Sequence, residues 1–121
     1  MPPASYRILH EDAQLVFVDK PPKMLATPVP GVTSKGPSLE ERLRQDGRAI
    51  IAVHRLDYET SGVMVFAKTE AAAAAMVEIF KSRGLKKAYQ ALVHGWPEPP
   101  HGEIDLPIRD LGAEAVVSSR G

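Results

Sequence analysis

Nine consecutive residues, "HRLDYETSG" from His54 to Gly62, hold the densest group of chemically active side chains in the sequence. His54, Arg55 and Asp57 fall within four positions, just ahead of a turn of small residues, Thr60-Ser61-Gly62. A carboxylate at such a turn projects into a cleft, where it can act as a nucleophile, a general base or an anchor for a cation. The same carboxylate can instead cap the turn by accepting from the backbone amides of Thr60 or Ser61. Arg55 could equally pair with Glu59 at the surface, a contact worth little, and His54 could be a satisfied histidine at the edge of the core. A kinase-type HRD loop does not fit, because Leu56 interrupts the triplet and no glycine-rich phosphate loop precedes it.

A second group is basic. Lys81, Arg83, Lys86 and Lys87 lie within seven residues, across the expected end of a helix and the start of a strand. They can complement the helix dipole or contact phosphates without reading sequence. Tyr89 follows two residues later. A tyrosine on a strand usually packs in the core, but beside a basic patch it can stack on a base.

These side chains need a frame. "YRILHEDAQLVFVDKPP" reads as two strands around a turn, stopped by Pro21-Pro22. Residues 26–37, with three prolines and two glycines, read as a long loop of functional or mobile character. Ser38 with Glu41 three residues on predicts a capping box, Leu39 and Leu43 share a helix face, and Gly47 stops that helix. "AIIAV" is a short buried strand that delivers the chain to His54, and "GVMVFAKT" is the strand beyond the turn. Thr69 should cap the helix "EAAAAAMVEIFKSRG", with Met76, Ile79 and Phe80 on its apolar face and Gly84 at its end. "KKAYQALVHG", "GEIDLPIRD" and "AEAVVSS" read as further strands. The order β-β-α-β-β-α-β-β-β predicts an α+β fold, a mixed and largely antiparallel sheet with two helices.

Composition narrows the setting. The 15 basic and 15 acidic residues cancel, so any polyanion must be met by a local patch rather than a global field. The absence of cysteine excludes disulfides, thiolate metal sites and a cysteine nucleophile. His10, His54, His94 and His101 lack metal-ligand spacing, so no metal is expected. The start "MPPASYRILHED" has no apolar signal core, and no apolar run approaches the about 18 residues that span a bilayer. The expected location is cytoplasmic, with no membrane partner.

"HRLDYETSG" matches the HRLD-x-x-T-S-G signature of the RluA-type pseudouridine synthases, and the chain resembles that family in two further places. "VFVDKPPKMLATP" resembles the family's early strand with its K-P-x-G segment, although Met24 stands in place of the glycine and Lys23 where a Ser or Asn is common. "LKKAYQALVHG" resembles the family's K-K-x-Y strand. Together the pieces cover most of residues 7–108. The resemblance implies isomerisation of selected uridines in structured RNA, rRNA or tRNA, with no metal or organic cofactor. It maps the catalytic aspartate onto Asp57, which would attack a flipped-out nucleotide so that the base detaches, rotates and rejoins through carbon. Tyr89 maps onto the tyrosine that packs against the target base. Arg55 would fill the space the base vacates, Thr60 would help set the turn that aims Asp57, and His54, Lys86 and Lys87 complete the expected RNA-binding set.

One family feature is missing. Nothing in residues 109–121 matches the later G-R-T-H-Q-I-R-type motif, whose arginine pairs with the aspartate. The expectation is therefore a partial catalytic domain over residues 1–121, resembling the N-terminal half of the family fold, with no S4 domain and little or no activity alone. An interrupted sheet leaves an unpaired edge that would self-associate or pair with another chain. The alternative is a non-catalytic remnant that binds RNA or protein. A hydrolase using Asp57 with Glu59 is disfavoured, because the two sit on one tight turn and do not converge.

Overall fold

The computed structural model describes residues 5–29, 36–82, 84–106, 108–110 and 115–117. The chain divides into two compact units, Met1–Lys87 and Ala88–Gly121.

The first unit is a four-stranded antiparallel sheet with two helices, the expected α+β arrangement. Strands β1 (Arg7–Glu11) and β2 (Leu15–Lys20) form a hairpin. Asp12 closes it, its Oδ1 accepting from the amides of Gln14 and Leu15 at 2.8 Å each. Helix α1 (Leu39–Gln45) follows, then β3 (Ile51–Ala52), β4 (Gly62–Ala67) and helix α2 (Glu70–Lys81). The sheet order is β1-β2-β4-β3, so β4, whose Met64 to Ala67 are all buried, runs between two partners.

Side-chain alternation divides the sheet's two faces. Met64 and Phe66 of β4 join Val16 and Val18 of β2 in a core completed by Leu39 and Leu43 of α1 together with Met24, Ala26, Ile50 and Leu56. Val65 and Ala67 alternate to the other face, and α2 packs on β4 and β3. The inward stripe of α2 runs through Ala72, which is buried, and Met76 and Phe80, which are half-buried. Ile79, expected on that face, is 44% exposed: at 100° per residue it falls about 60° from the centre of the Ala72–Met76–Phe80 stripe.

Helix α1 starts as expected. The Glu41 amide donates to Ser38 Oγ (3.1 Å) and the Ser38 amide to Glu41 Oε1 (3.0 Å), a complete capping box. Its remaining first-turn donors reach the loop after β2, Leu39 N–H to Leu25 O (2.7 Å) and Glu40 N–H to Ala26 O (3.0 Å). Gly47, at φ +94°, ends the helix with Arg48 N–H on Leu43 O and Gly47 N–H on Arg44 O, the Schellman pattern. Arg48 and Lys68 both bond Glu11, holding its carboxyl down to about 2 and fastening the end of β1 to segments that follow α1 and β4.

In the second unit β5 (Ile108–Asp110) and β6 (Ala115–Val117) form a short antiparallel ladder. The strand expected over "KKAYQALVHG" does not form. Residues 85–93 have no regular structure, and Tyr89, Leu92 and Val93 are exposed. A strand is a ladder of backbone hydrogen bonds to a neighbour, and among the described residues this segment has no ladder partner. Among the described residues no helix is long and apolar enough to cross a membrane.

Candidate active site

The loop from Val53 to Ser61 joins β3 to β4, and its geometry explains its composition. The β3–β4 ladder holds only two pairs, Ile51 with Ala67 and Ala52 with Phe66. One position further, where Val53 would meet Val65, a side chain takes over. The Val65 amide donates to His54 Nε2 at 3.1 Å. The imidazole thus supplies the acceptor that a continuing strand would have supplied, and the backbone is released to turn outward. Phe80 of α2 stacks on the His54 ring, centroids 4.5 Å apart, and Lys87 Nζ lies 5.3 Å from the Phe80 centroid. Burial, then the Lys87 charge, lowers the His54 pKa, consistent with a neutral ring that accepts at Nε2.

Beyond His54 the chain is extended and its side chains alternate. Arg55 points to solvent, Leu56 into the core cluster and Asp57 to solvent again. Leu56 is therefore the anchor that separates the two charged residues from the sheet. A turn follows, closed by Thr60 N–H on the Asp57 main-chain carbonyl at 3.0 Å. The turn uses the backbone of Asp57. Among the described residues no amide donates to its carboxylate and no cation forms an ion pair with it, so the turn-cap geometry is absent. Arg55 makes no ion pair with Glu59 either, again among the described residues.

A pocket of about 130 Å³ lies beside this turn, with Ala26, Thr27 and Val29 on one side and Arg55, Asp57 and Tyr58 on the other. Enclosed ligand sites hold roughly 300–1,000 Å³, so this is one wall of a site rather than a sealed chamber. The start of the proline-rich loop borders this pocket, since Thr27 and Val29 face the same space as Asp57. Residues 30–35 of that loop lie outside the described residues.

The predicted site residues are thus distributed unevenly. Arg55 and Asp57 share the pocket, and Thr60 sits on its turn. His54 is committed to the fold, and Lys87 reaches it through Phe80. Lys86 is exposed, Arg83 lies outside the described residues, and Tyr89 is an exposed residue of the second unit. Among the described residues no three His, Asp or Glu side chains are grouped to hold a metal ion.

Pattern reading missed Lys20. Its residue is 0% exposed, and its Nζ donates to three backbone carbonyls, Met24 (2.7 Å), Pro21 (3.0 Å) and Tyr58 (3.4 Å). The Tyr58 carbonyl also accepts from Lys23 N–H at 2.7 Å and Met24 N–H at 3.3 Å. Lys23 takes φ +62° to make this approach, a left-handed conformation unusual for a residue with a Cβ. The turn after β2 and the turn after Asp57 are consequently stitched together. The signal was present in the alternation, since Lys20 is in phase with the buried Val16 and Val18.

Comparison with known proteins bears on the same residues. A family model described as RNA pseudouridylate synthase matches residues 14–120. A dual-specificity RNA pseudouridine synthase RluA from Salmonella typhi is 40% identical over 102 residues, covering 84% of this chain and 46% of the relative. The Vibrio vulnificus protein of the same description is 42% identical, covering 84% of this chain and 40% of its own length. An uncharacterized RNA pseudouridine synthase of Mycobacterium tuberculosis is 42% identical over 110 residues, with 84% and 35% coverage. The chain therefore spans about half or less of the length of these relatives.

Proposed function

Because this chain belongs to the RNA pseudouridylate synthase family, we propose that it acts on structured RNA, rRNA or tRNA, isomerising selected uridines to pseudouridine with Asp57 as nucleophile. The observation that carries this reading is the Asp57 carboxylate itself, exposed, uncapped and set against a pocket wall of Ala26, Thr27 and Val29. A uridine in a stem must be extruded before a side chain can reach its glycosidic bond, at a cost of a few kcal/mol. That wall suits a planar base, and the adjacent carboxylate suits attack on the nucleotide. Arg55, beside the same pocket, fills the space the base leaves. Tyr89 packs on the base, Lys86 and Lys87 bind phosphate, and His54 and Thr60 hold the turn in place.

The assay is direct. Incubating the protein with rRNA and tRNA transcripts and measuring pseudouridine should give little turnover from these 121 residues alone, because no cation contacts the carboxylate among the described residues. Asp57→Ala should remove what turnover there is, and turnover that survived it would sink the reading. RNA affinity should fall with salt, and replacing Lys86 and Lys87 together should reduce the log–log salt slope by about 1.4–1.8.

A second reading, RNA or protein binding without chemistry, draws on the edge of β4. Among the described residues strand β3 pairs with it only at Phe66 and Ala67, which leaves Gly62 and the exposed Val63 without a ladder partner on that side, available to self-association or to another chain. Salt-sensitive binding or a concentration-dependent dimer, with no pseudouridine under any condition, would favour it.

A further inference from the structure

Among the described residues five take a positive φ, and four of them are glycines, Gly36, Gly47, Gly62 and Gly95. The fifth is Lys23, at φ +62°. Glycine adopts this conformation freely, whereas a residue with a Cβ is strained in it. Such strain persists only where the surroundings enforce it, and it gathers at functional sites. Here the enforcing contacts are on the page. The backbone turns back after β2 so that the Lys23 and Met24 amides both reach the Tyr58 carbonyl, at 2.7 and 3.3 Å. That requirement explains the conformation but not the side chain, since glycine would meet it with less strain.

Nor does the fold use the side chain. Lys23 is exposed, and among the described residues its ammonium makes no hydrogen bond or ion pair. Its place is what distinguishes it. Lys23 is bonded to the residue that follows Asp57, and that residue lines the pocket with Arg55 and Asp57. The side chain therefore leaves the backbone at the shoulder of the Asp57 turn and extends into solvent. A nucleotide extruded into the pocket swings about its own backbone, so its flanking phosphates stay at the pocket mouth. A compact ammonium on a flexible stem suits such a phosphate, and the contact fixes register without reading sequence. On the reading that the chain acts on structured RNA, we propose that Lys23 is a phosphate-binding residue of the Asp57 site. Its ammonium holds the RNA backbone next to the nucleotide that enters the pocket. The strained lysine is then kept for the ligand, against the preference of the turn for glycine.

Lys23→Gln keeps the Cβ and removes the charge, so it isolates the contact. Titrating wild type and variant with tRNA and rRNA transcripts at several salt concentrations gives the log–log salt slope of binding. Lys23→Gln should lower that slope by about 0.7–0.9, the share of one phosphate, on both RNAs. Lys23→Arg should keep the wild-type slope. Arg7→Gln, which removes an exposed cation already paired with Asp19, should lower it less than half as much. An unchanged slope in Lys23→Gln, or an equal loss in Arg7→Gln, overturns the proposal. Lys23→Gly reads the strain as well. Its denaturant midpoint should lie at or above the wild-type value while its salt slope falls as in Lys23→Gln. A lower midpoint with the wild-type slope would show the lysine serving the fold, and overturns the proposal. Should the wild-type chain bind neither RNA in a salt-dependent way, the functional reading falls and takes this proposal with it. Salt-dependent binding that Lys23→Gln leaves intact removes this proposal alone.

Discussion

Strand β4 and the segment around Leu92 have similar apolar content but opposite environments. Val65 is 4% exposed, flanked by β2 and the His54 ring and packed beneath α2. Leu92, in "AYQALVHG", is fully exposed, and Trp96 is 95% exposed. The difference lies in what each segment has beside it. In the first unit β2 offers β4 a full edge of six register pairs, and two helices add apolar faces. Residues 85–93 have no such edge among the described residues, and Tyr89, Leu92 and Val93 stay exposed. Apolar pattern makes a strand possible; a neighbour makes it a strand.

Paired substitutions can break this contrast. Phe66→Ala should cost about 3–5 kcal/mol in a denaturant titration, a large part of a small domain's stability, whereas Leu92→Ala should change it by about 0.5 kcal/mol or less. Comparable losses at both positions would show that Leu92 is covered in solution. A smaller effect should follow from Ser38→Ala, which removes the capping box at an expected cost of about 1 kcal/mol and should speed exchange at Glu41 before it affects α2. No change in stability would mean the loop contacts of Leu39 and Glu40 suffice to start the helix.

The smallest effect is a pH dependence. His54 has a lowered pKa when folded, so the unfolded chain takes up its proton first as pH falls below about 6.5. Its stabilising contribution is complete above that value and is lost as pH drops through the lower folded value. Denaturant midpoints at pH 7.5 and 5.5 should differ less in His54→Gln than in the wild type. The difference should come with chemical-shift changes at Val65 and not at Leu92. An unchanged pH dependence in the variant would assign the effect to another group.

What could be read in advance follows the same division. Local arrangements were legible: the Ser38–Glu41 box and the Thr69 cap depend on residues three apart, and their hydrogen bonds form as expected. The β2 and β4 strands were legible because their apolar runs are short, bounded by turns and partnered. Asp57 stood out as a candidate through its motif, and the geometry then removed the turn-cap alternative by giving that bond to its backbone carbonyl. The burial of Lys20 was legible in the alternation of β2 and its K-P segment was noted, but its partners were not, because they are carbonyls, which no side-chain pattern records. Nor was the commitment of His54 to Val65, which depends on β3 stopping after two residues. Residues whose role depends on a distant backbone atom are the ones sequence patterns do not announce.

The two amides at the start of α1 also bear on how this site could change over evolutionary time. By bonding Leu25 and Ala26, they tie both ends of the intervening loop to one point of the frame. Lengthening a loop between fixed ends is thermodynamically cheap, about 0.6 kcal/mol for each doubling. Thr27 and Val29, which face the pocket, lie just inside that tie. Insertions and substitutions there would reshape the pocket wall without moving Asp57, so that wall could diverge while the Asp57 carboxylate keeps its place.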